Sequence, residues 1–198
     1  MFDHIVVDVE IQKTIEEVPN GWEDTHLLGV SVGVVYEYQT DRYRVYGPND
    51  TQALRERLVA ADRISGFNIW KFDFPVIWEL PGRERVQQLG PKTNDLLRRI
   101  WLALYLKPNE FSSLHKNWGL DKVCRATFGQ GKSGFGGDAP KWFQAGNWAK
   151  LVDYCIDDVR LEKRLTDFVD QYGFVISAQG EVLRLDVEDS VSLLNNVV

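Results

Sequence analysis

The chain has 198 residues, 44% of them hydrophobic and 12% aromatic, which suits a compact domain with a sizeable core. Its 23 lysines and arginines against 29 aspartates and glutamates give a formal net charge of −6, which argues against a broad basic face that grips duplex phosphates. No apolar run reaches the roughly 20 residues needed to cross a bilayer, and the start MFDHIVVDVE lacks the pattern of a secretory signal. We therefore expect a cytoplasmic protein with no membrane partner.

The first part of the chain is dominated by strand patterns. His4 to Glu10 is rich in β-branched residues and predicts a buried strand with a polar end. Residues 27–38 and 42–46 predict two more strands, joined as an antiparallel hairpin. The apolar residues of 51–61 recur at helical spacing, with a threonine or aspartate available as the cap. A fourth strand is predicted from Arg63 to Phe67.

Helical patterns dominate the middle of the chain. Residues 72–80 predict a helix, and 92–97 predict a brief extended piece. Helical spacing resumes over 95–106 and stops before Pro108. The segment 120–129 predicts an amphipathic helix that ends at its terminal glycine.

The last part of the chain begins with a Gly-rich loop, residues 129–140. A long helix is predicted from about Asn147 to Tyr172, and a small hairpin is predicted around Gln179 and Gly180. The final dozen residues show no clear pattern.

The order of these elements predicts an α/β fold, with a mixed sheet covered by helices on both faces. No internal repeat, low-complexity tract or linker-like break interrupts the chain, so residues 1–198 are predicted to form a single domain. The two cysteines, Cys124 and Cys155, have no partner at metal-ligand spacing. We expect both to be reduced core thiols rather than part of a disulfide framework or a zinc site.

Asp8 and Glu10 stand two residues apart at the end of the first predicted strand. Because side chains alternate along a strand, both carboxylates project from the same face and can share one cation. A strand that reaches the surface at its end also often carries acidic residues. The pair therefore needs support from residues elsewhere in the chain.

Asp73 ends the sequence N-I-W-K-F-D, which begins at Asn68 directly after the fourth predicted strand. The chain leaves the sheet at this point, where site residues of α/β folds commonly lie. Asp73 is also well placed to cap the helix that follows. Asn68 likewise has two interpretations, as a turn residue or as a group that shapes the site.

The long C-terminal helix carries Tyr154 and the neighbouring acids Asp157 and Asp158. At about 100° per residue, Asp158 falls on the apolar face of the helix and Asp157 on its charged side. A buried carboxylate is costly unless it is paired or bound to metal, so Asp158 requires either a metal ion or a basic partner. Tyr154 precedes Asp158 by one turn on the same side, and Glu162 also lies near the apolar face.

These three motifs, D-x-E, N-x-x-x-F-D and Y-x-x-x-D, occur in this order over nearly the whole chain. In them the chain resembles the DEDD superfamily of 3′-to-5′ exonucleases, in the branch whose third motif carries tyrosine (DEDDy). The other branch has histidine five residues before the last aspartate, and that position is Asp153 here. The run from 119 through the Gly-rich loop to 161 is also similar to proofreading-type domains and the stand-alone exonucleases akin to them.

The resemblance implies a ribonuclease-H-like fold, with a mixed five-stranded sheet flanked by helices and here followed by the small C-terminal hairpin. It implies that four carboxylates, Asp8, Glu10, Asp73 and Asp158, bind two divalent ions and that Tyr154 positions the attacking water. Two oxygen-ligated ions roughly 3.5 to 4 Å apart can activate water and stabilise both the entering and the leaving oxygen of a phosphodiester hydrolysis. Hard carboxylate ligands select Mg²⁺ or Mn²⁺ over softer metals.

The implied substrate is nucleic acid with a free 3′ end, DNA or RNA. We expect single strands to be preferred, because the acidic chain has little cationic surface with which to hold a duplex. Lys132 in the Gly-rich loop, Phe72 and Asn68 are the candidate substrate-binding residues, although Lys132 also fits a mobile loop and Phe72 a core aromatic.

Two other functions fit the same motifs. A ribonuclease-H-like module that has lost catalysis would act as a nucleic-acid-binding or scaffolding domain, although all five motif residues are present. An endonuclease on the same fold would cut circular as well as linear substrates.

Overall fold

A computed structural model describes residues 2–80, 86–106 and 113–185 of the chain. Within these ranges there are seven strands: β1 His4–Ile11, β2 Val30–Glu37, β3 Arg42–Tyr46, β4 Arg63–Gly66, β5 Thr93–Asp95, β6 Phe174–Ile176 and β7 Val182–Arg184. The α-helices of the same ranges are α1 Thr51–Ala60, α2 Asp73–Trp78, α3 Leu96–Ala103, α4 Leu120–Phe128, α5 Ala139–Gln144 and α6 Trp148–Tyr172.

Five strands form one mixed sheet in the order β3-β2-β1-β4-β5. The pairs β1–β2 and β2–β3 are antiparallel, whereas β1–β4 and β4–β5 are parallel. Strands β6 and β7 pair as a separate antiparallel hairpin. The predicted α/β class, the mixed five-stranded sheet flanked by helices and the C-terminal hairpin are therefore confirmed. The assignment to the ribonuclease-H-like family of folds stays a prediction.

Most predicted elements are present within a few residues of their expected bounds. An aspartate, Asp50, is the N-cap residue of α1, as predicted. Its carboxylate makes no hydrogen bond to the first turn of the helix and accepts instead from the Gly47 amide. The Gly-rich segment was expected to be loop throughout, yet its last residues begin α5, with Pro140 in the first turn. The patternless final dozen residues lie outside the described part of the chain.

The two faces of β1 pack against different helices, and this fixes the direction of its acidic residues. Ile5, Val7 and Val9 join a core cluster that includes residues of α1 and α2. Val6, on the opposite face, packs in a cluster with residues of α6. Because strand side chains alternate with a period of two, Asp8 and Glu10 share the face of Val6 and are directed toward α6.

Helix α6 is the longest described element, with 25 residues, and it lies across the sheet. The Asn147 side chain accepts a hydrogen bond from the Lys150 amide at its start, and Gly173, with a φ of 71°, ends it in the left-handed conformation. Its buried positions recur at intervals of three and four: Leu151, Tyr154, Cys155, Asp158, Val159, Leu161, Glu162, Leu165, Thr166 and Val169. Polar side chains, among them Asp158 and Glu162, therefore lie on the buried face of this helix.

Both cysteines, Cys124 and Cys155, are buried free thiols, as expected. Among the described residues, none of the helices has the length and apolar character that crossing a membrane requires.

Candidate metal centre

Three carboxylates from distant parts of the chain meet at the C-terminal half of β1. Asp8 and Glu10 of β1 and Asp158 of α6 each offer an oxygen, and these oxygens all lie within 4.8 Å of one another. The Cys155 Sγ lies 3.6 Å from Asp8 Oδ2, so the helix packs directly against the strand at this point. The sheet and helix periodicities that were predicted separately therefore direct their acids to one place.

The neighbouring acids of α6 have opposite environments. The Asp158 side chain is 1% exposed, whereas the Asp157 side chain is 36% exposed and pairs with Arg160 on the outer surface. Tyr154, one turn before Asp158, is buried on the inner side. The predicted register of this helix is confirmed, with Asp158 directed inward and Asp157 outward.

Asp73 reaches the site from the turn after β4. Its Oδ1 accepts a hydrogen bond of 3.0 Å from the amide of Val9, the residue between Asp8 and Glu10. It is not the N-cap of α2, because the helix begins at Asp73 itself and the cap position is Phe72. The capping interpretation was therefore wrong, since the carboxylate holds β1 instead. Asp73 lies beside the three-carboxylate group and is not one of its members.

The turn that presents Asp73 has a left-handed residue at its start. Asn68 has a φ of 69°, and its carbonyl oxygen accepts from the amides of Lys71 and Phe72. Asparagine tolerates this conformation better than most residues. The turn interpretation of Asn68 is thus confirmed, and its predicted contact with substrate stays a prediction.

Asp95, which the sequence did not single out, fastens the same turn. Its carboxylate accepts hydrogen bonds from the amides of Asn68 and Trp70 at 2.9 and 3.0 Å. It also accepts from the amides of Leu97 and Arg98, so it caps α3 at the same time. An aspartate as the first residue of a predicted helical segment was the available signal. Its link to the turn connects residues 25 and 27 positions apart in the chain.

Burial raises the pKa of each carboxylate in the site, and repulsion from neighbouring site carboxylates raises the pKa values of Asp8, Glu10 and Asp73 further. Dense protein surroundings, followed by the charge of Asp158, raise the pKa of Asp8 to about 7. Burial and the charge of Asp8 hold the pKa values of Glu10 and Asp73 well above their usual range. Burial also raises the pKa of Asp158, although the Lys132 ammonium works in the opposite direction. The cluster therefore resists full ionisation unless cations are present.

Glu162 adds a fifth carboxylate, one turn beyond Asp158. It is buried, and its Oε2 has no hydrogen-bond partner among the described residues. Burial, then the charges of Asp8, Asp73 and Asp158, raise its pKa well above the ordinary value. Its position near the apolar face was visible in the sequence, but nothing there marked it as a neighbour of the site.

Lys132 lies inside the cluster rather than in a free loop. Its Nζ is 2.5 Å from Asp158 Oδ2 and 3.4 Å from the Tyr154 hydroxyl oxygen. Asp158 thus has the basic partner that was considered as the alternative to a metal ion. The ammonium satisfies only one of its oxygens, because Asp158 Oδ1 is buried without a hydrogen-bond partner in the described part of the chain.

Two aromatic side chains meet near the start of α2. Phe72 is half-buried against the core, and its ring centroid lies 6.2 Å from that of Trp22. Trp22 is 71% exposed, which is unusual for so large an apolar side chain. Sequence reasoning missed Trp22, since a lone tryptophan in a polar segment carries no periodic signal.

The donor set fits a hard divalent cation. Every side chain of the group offers carboxylate oxygen, the ligand type that Mg²⁺ and Mn²⁺ prefer. The unpartnered buried oxygens of Asp158 and Glu162 are the kind of group that a bound cation satisfies. Asp8, Glu10 and Asp158 are therefore the side chains that could hold such an ion, with Asp73 adjacent.

Comparison of the chain with protein-family models and with curated proteins gave no match.

Proposed function

We propose that this chain is a metal-dependent 3′-to-5′ exonuclease of the ribonuclease-H-like DEDDy type, which hydrolyses phosphodiester bonds of single-stranded nucleic acid. The observation that carries the proposal is the meeting of Asp8, Glu10 and Asp158 within 4.8 Å, with Asp73 hydrogen-bonded to the strand between the first two. The four residues come from three segments separated along the chain. Their convergence supports a common role that none of the three motifs establishes alone.

Two ions of Mg²⁺ or Mn²⁺, when bound, would activate water and stabilise the entering and leaving oxygens of the displaced phosphodiester. Asp8, Glu10, Asp73 and Asp158 would hold them. The protein contributes by fixing these carboxylates: β1 sets the spacing of the first two, the Val9 amide orients Asp73, and α6 carries Asp158. A site built on sheet and helix keeps its geometry better than one built on loops.

Tyr154 serves as an orienting group in this proposal. Burial, the largest effect, raises its pKa above the ordinary value for tyrosine, so the phenol keeps its proton at neutral pH. It is therefore a hydrogen-bond donor rather than a general base. Its ring is held edge-on by Trp142 at 5.4 Å between centroids, which restricts where the hydroxyl points.

The substrate we propose is a single-stranded or frayed 3′ end. The formal net charge of −6 leaves little general attraction for a duplex backbone. Exposed Trp22 contacts Phe72, the residue that precedes Asp73 in the chain, and the pair offers an aromatic surface on which a base could stack. Stacking on aromatic rings is tolerant of base identity. Both DNA and RNA fit this surface, because every base has a flat face to stack.

Digestion of single-stranded DNA and RNA oligonucleotides, labelled at the 5′ end in one set and the 3′ end in the other, tests the proposal. With Mg²⁺ or Mn²⁺ we expect 5′-labelled strands to shorten stepwise and 3′-labelled strands to release the labelled nucleotide first. Excess chelator and the Asp8→Ala variant should both abolish the reaction. Cleavage that continues undiminished in chelator would falsify the metal-dependent mechanism.

The other functions give distinct results in the same experiment. Cutting of a circular single strand would identify an endonuclease. Binding of the oligonucleotide without cleavage, in either metal, would favour the nucleic-acid-binding or scaffolding module.

A further inference from the structure

The Gly-rich loop is fastened so that one of its residues enters the carboxylate cluster. The backbone amide of Lys132 donates to Asp121 Oδ1 at 2.8 Å, which ties this part of the loop to α4. The backbone of Gly134 lies so close to Tyr154 that an added Cβ would be 3.2 Å from its ring carbons. The loop therefore covers Tyr154 closely, and the Lys132 side chain is directed to the same place.

The Lys132 ammonium occupies the position of a cation at Asp158. It is 2.5 Å from Asp158 Oδ2, and its side chain is only 26% exposed. It also lies 5.6 Å from the centroid of the Tyr154 ring, within the range of a cation–π contact. Of the cationic side chains with described ion pairs, Lys132 is the one that contacts a member of the three-carboxylate group.

A divalent ion and this ammonium compete for the same carboxylate. Three acids that meet within 4.8 Å repel one another when ionised, and one ammonium offsets only part of that charge. A divalent ion that binds Asp158 would face the positive Lys132 at close range, in surroundings that screen charge poorly. Binding of the ion at Asp158, even through the unpartnered Oδ1, therefore favours departure of the ammonium from Oδ2.

We propose that Lys132 is an internal counter-cation that occupies Asp158 in the metal-free protein and is displaced when a divalent ion binds. This inference rests on the proposed function, since it takes the cluster to be a metal site. It makes Lys132 a determinant of metal affinity. It also differs from the substrate contact that its place in a Gly-rich loop suggested.

Calorimetric titration of Mn²⁺ into the substrate-free protein at neutral pH tests the inference without an activity measurement. The Lys132→Met variant removes the charge and keeps most of the side-chain length, so we expect it to bind Mn²⁺ at least roughly tenfold more tightly than the unaltered protein. Lys132→Arg keeps the charge and should bind within roughly threefold of the unaltered protein. Lys141→Met is the matched control, because Lys141 is 67% exposed and pairs with Asp138 outside the cluster.

The possible outcomes separate failure of this inference from failure of the proposed function. Equal or weaker Mn²⁺ binding by Lys132→Met, with folding verified by circular dichroism, would overturn the inference and leave the metal site intact. Tightening by Lys132→Arg as large as that by Lys132→Met would also overturn it, because charge would not be the cause. Absence of Mn²⁺ binding by every variant, the unaltered protein included, would overturn the proposed function as well.

Discussion

Replacing Asp158 or Asp157 by asparagine gives the sharpest separation between a proposed metal ligand and a surface acid. Oxygens of Asp158, Asp8 and Glu10 lie within 4.8 Å of one another. At that distance each ionised pair costs about 3.5 kcal/mol at an effective dielectric of 20. A bound cation relieves this repulsion, so metal binding should stabilise the fold. Asp157 forms only an exposed pair with Arg160, worth roughly 0–1 kcal/mol.

We expect Asp158→Asn to lose about a thousandfold in cleavage rate, since bound metal supplies several kcal/mol of transition-state stabilisation. It should also lose most of the thermal response to Mg²⁺. A ligand at a hundredfold excess over its Kd stabilises by about 2.7 kcal/mol, and roughly 2–4 °C of Tm per kcal/mol then gives a rise of about 5–11 °C. Asp157→Asn should keep both the cleavage rate and the rise in Tm with Mg²⁺.

The assay is single-turnover cleavage of a 5′-labelled single strand, together with calorimetric melting with and without Mg²⁺. An inactive Asp157→Asn beside an active Asp158→Asn would refute the assignment of inner and outer acids on α6.

Three further predictions follow from the site and the sheet. Tyr154→Phe should lower turnover substantially and leave the Mn²⁺ affinity measured by calorimetry unchanged, because only the orienting hydroxyl is lost. If this variant turns over as fast as the unaltered protein, Tyr154 is a core aromatic residue. In chelator, the melting temperature should fall as the pH rises from 6.5 to 8. The pKa of Asp8 is raised to about 7 in the folded protein, so the folded state still binds a proton that the unfolded chain has already released. A higher Tm at pH 8 than at pH 6.5 would contradict this. Gly66→Ala should lower the free energy of unfolding in urea by about 1–3 kcal/mol, because the added Cβ would lie 2.8 Å from the Val7 carbonyl oxygen. Gly119→Ala is the control, because the added Cβ there has open space around it. Equal unfolding midpoints for the two variants would contradict the packing around Gly66.

Two periodicities explain why much of the site could be predicted from the sequence. The period of two along β1 places Asp8 and Glu10 on one face, and the period of 3.6 along α6 separates Asp158 from Asp157. Both are properties of one segment, so each could be read without knowledge of its neighbours. The Val- and Ile-rich strands and the glycine at the end of α4 were recognisable for the same reason.

The contacts that sequence reasoning missed join segments that are far apart in the chain. Lys132 reaches Asp158 across 26 positions because the loop is held at Asp121, and no local pattern encodes that path. Asp95 holds the turn of Asn68 through backbone amides, which any residue other than proline supplies. Trp22 meets Phe72 from a polar segment without periodicity. Tertiary packing, rather than local propensity, sets these positions.

Sulfur substitution at the 3′-terminal phosphodiester tests most directly whether metal ions held by the carboxylate cluster act on the scissile phosphate. One non-bridging oxygen is replaced by sulfur, and the first cleavage is timed in Mg²⁺ and in the softer Cd²⁺. We expect the sulfur to slow cleavage strongly in Mg²⁺ and the softer metal to restore it, because sulfur is a poor ligand for Mg²⁺ and a good one for soft ions. The same substitution one linkage further from the end should leave the first cut unaffected. An equal effect of sulfur in both metals would contradict direct metal action at this site.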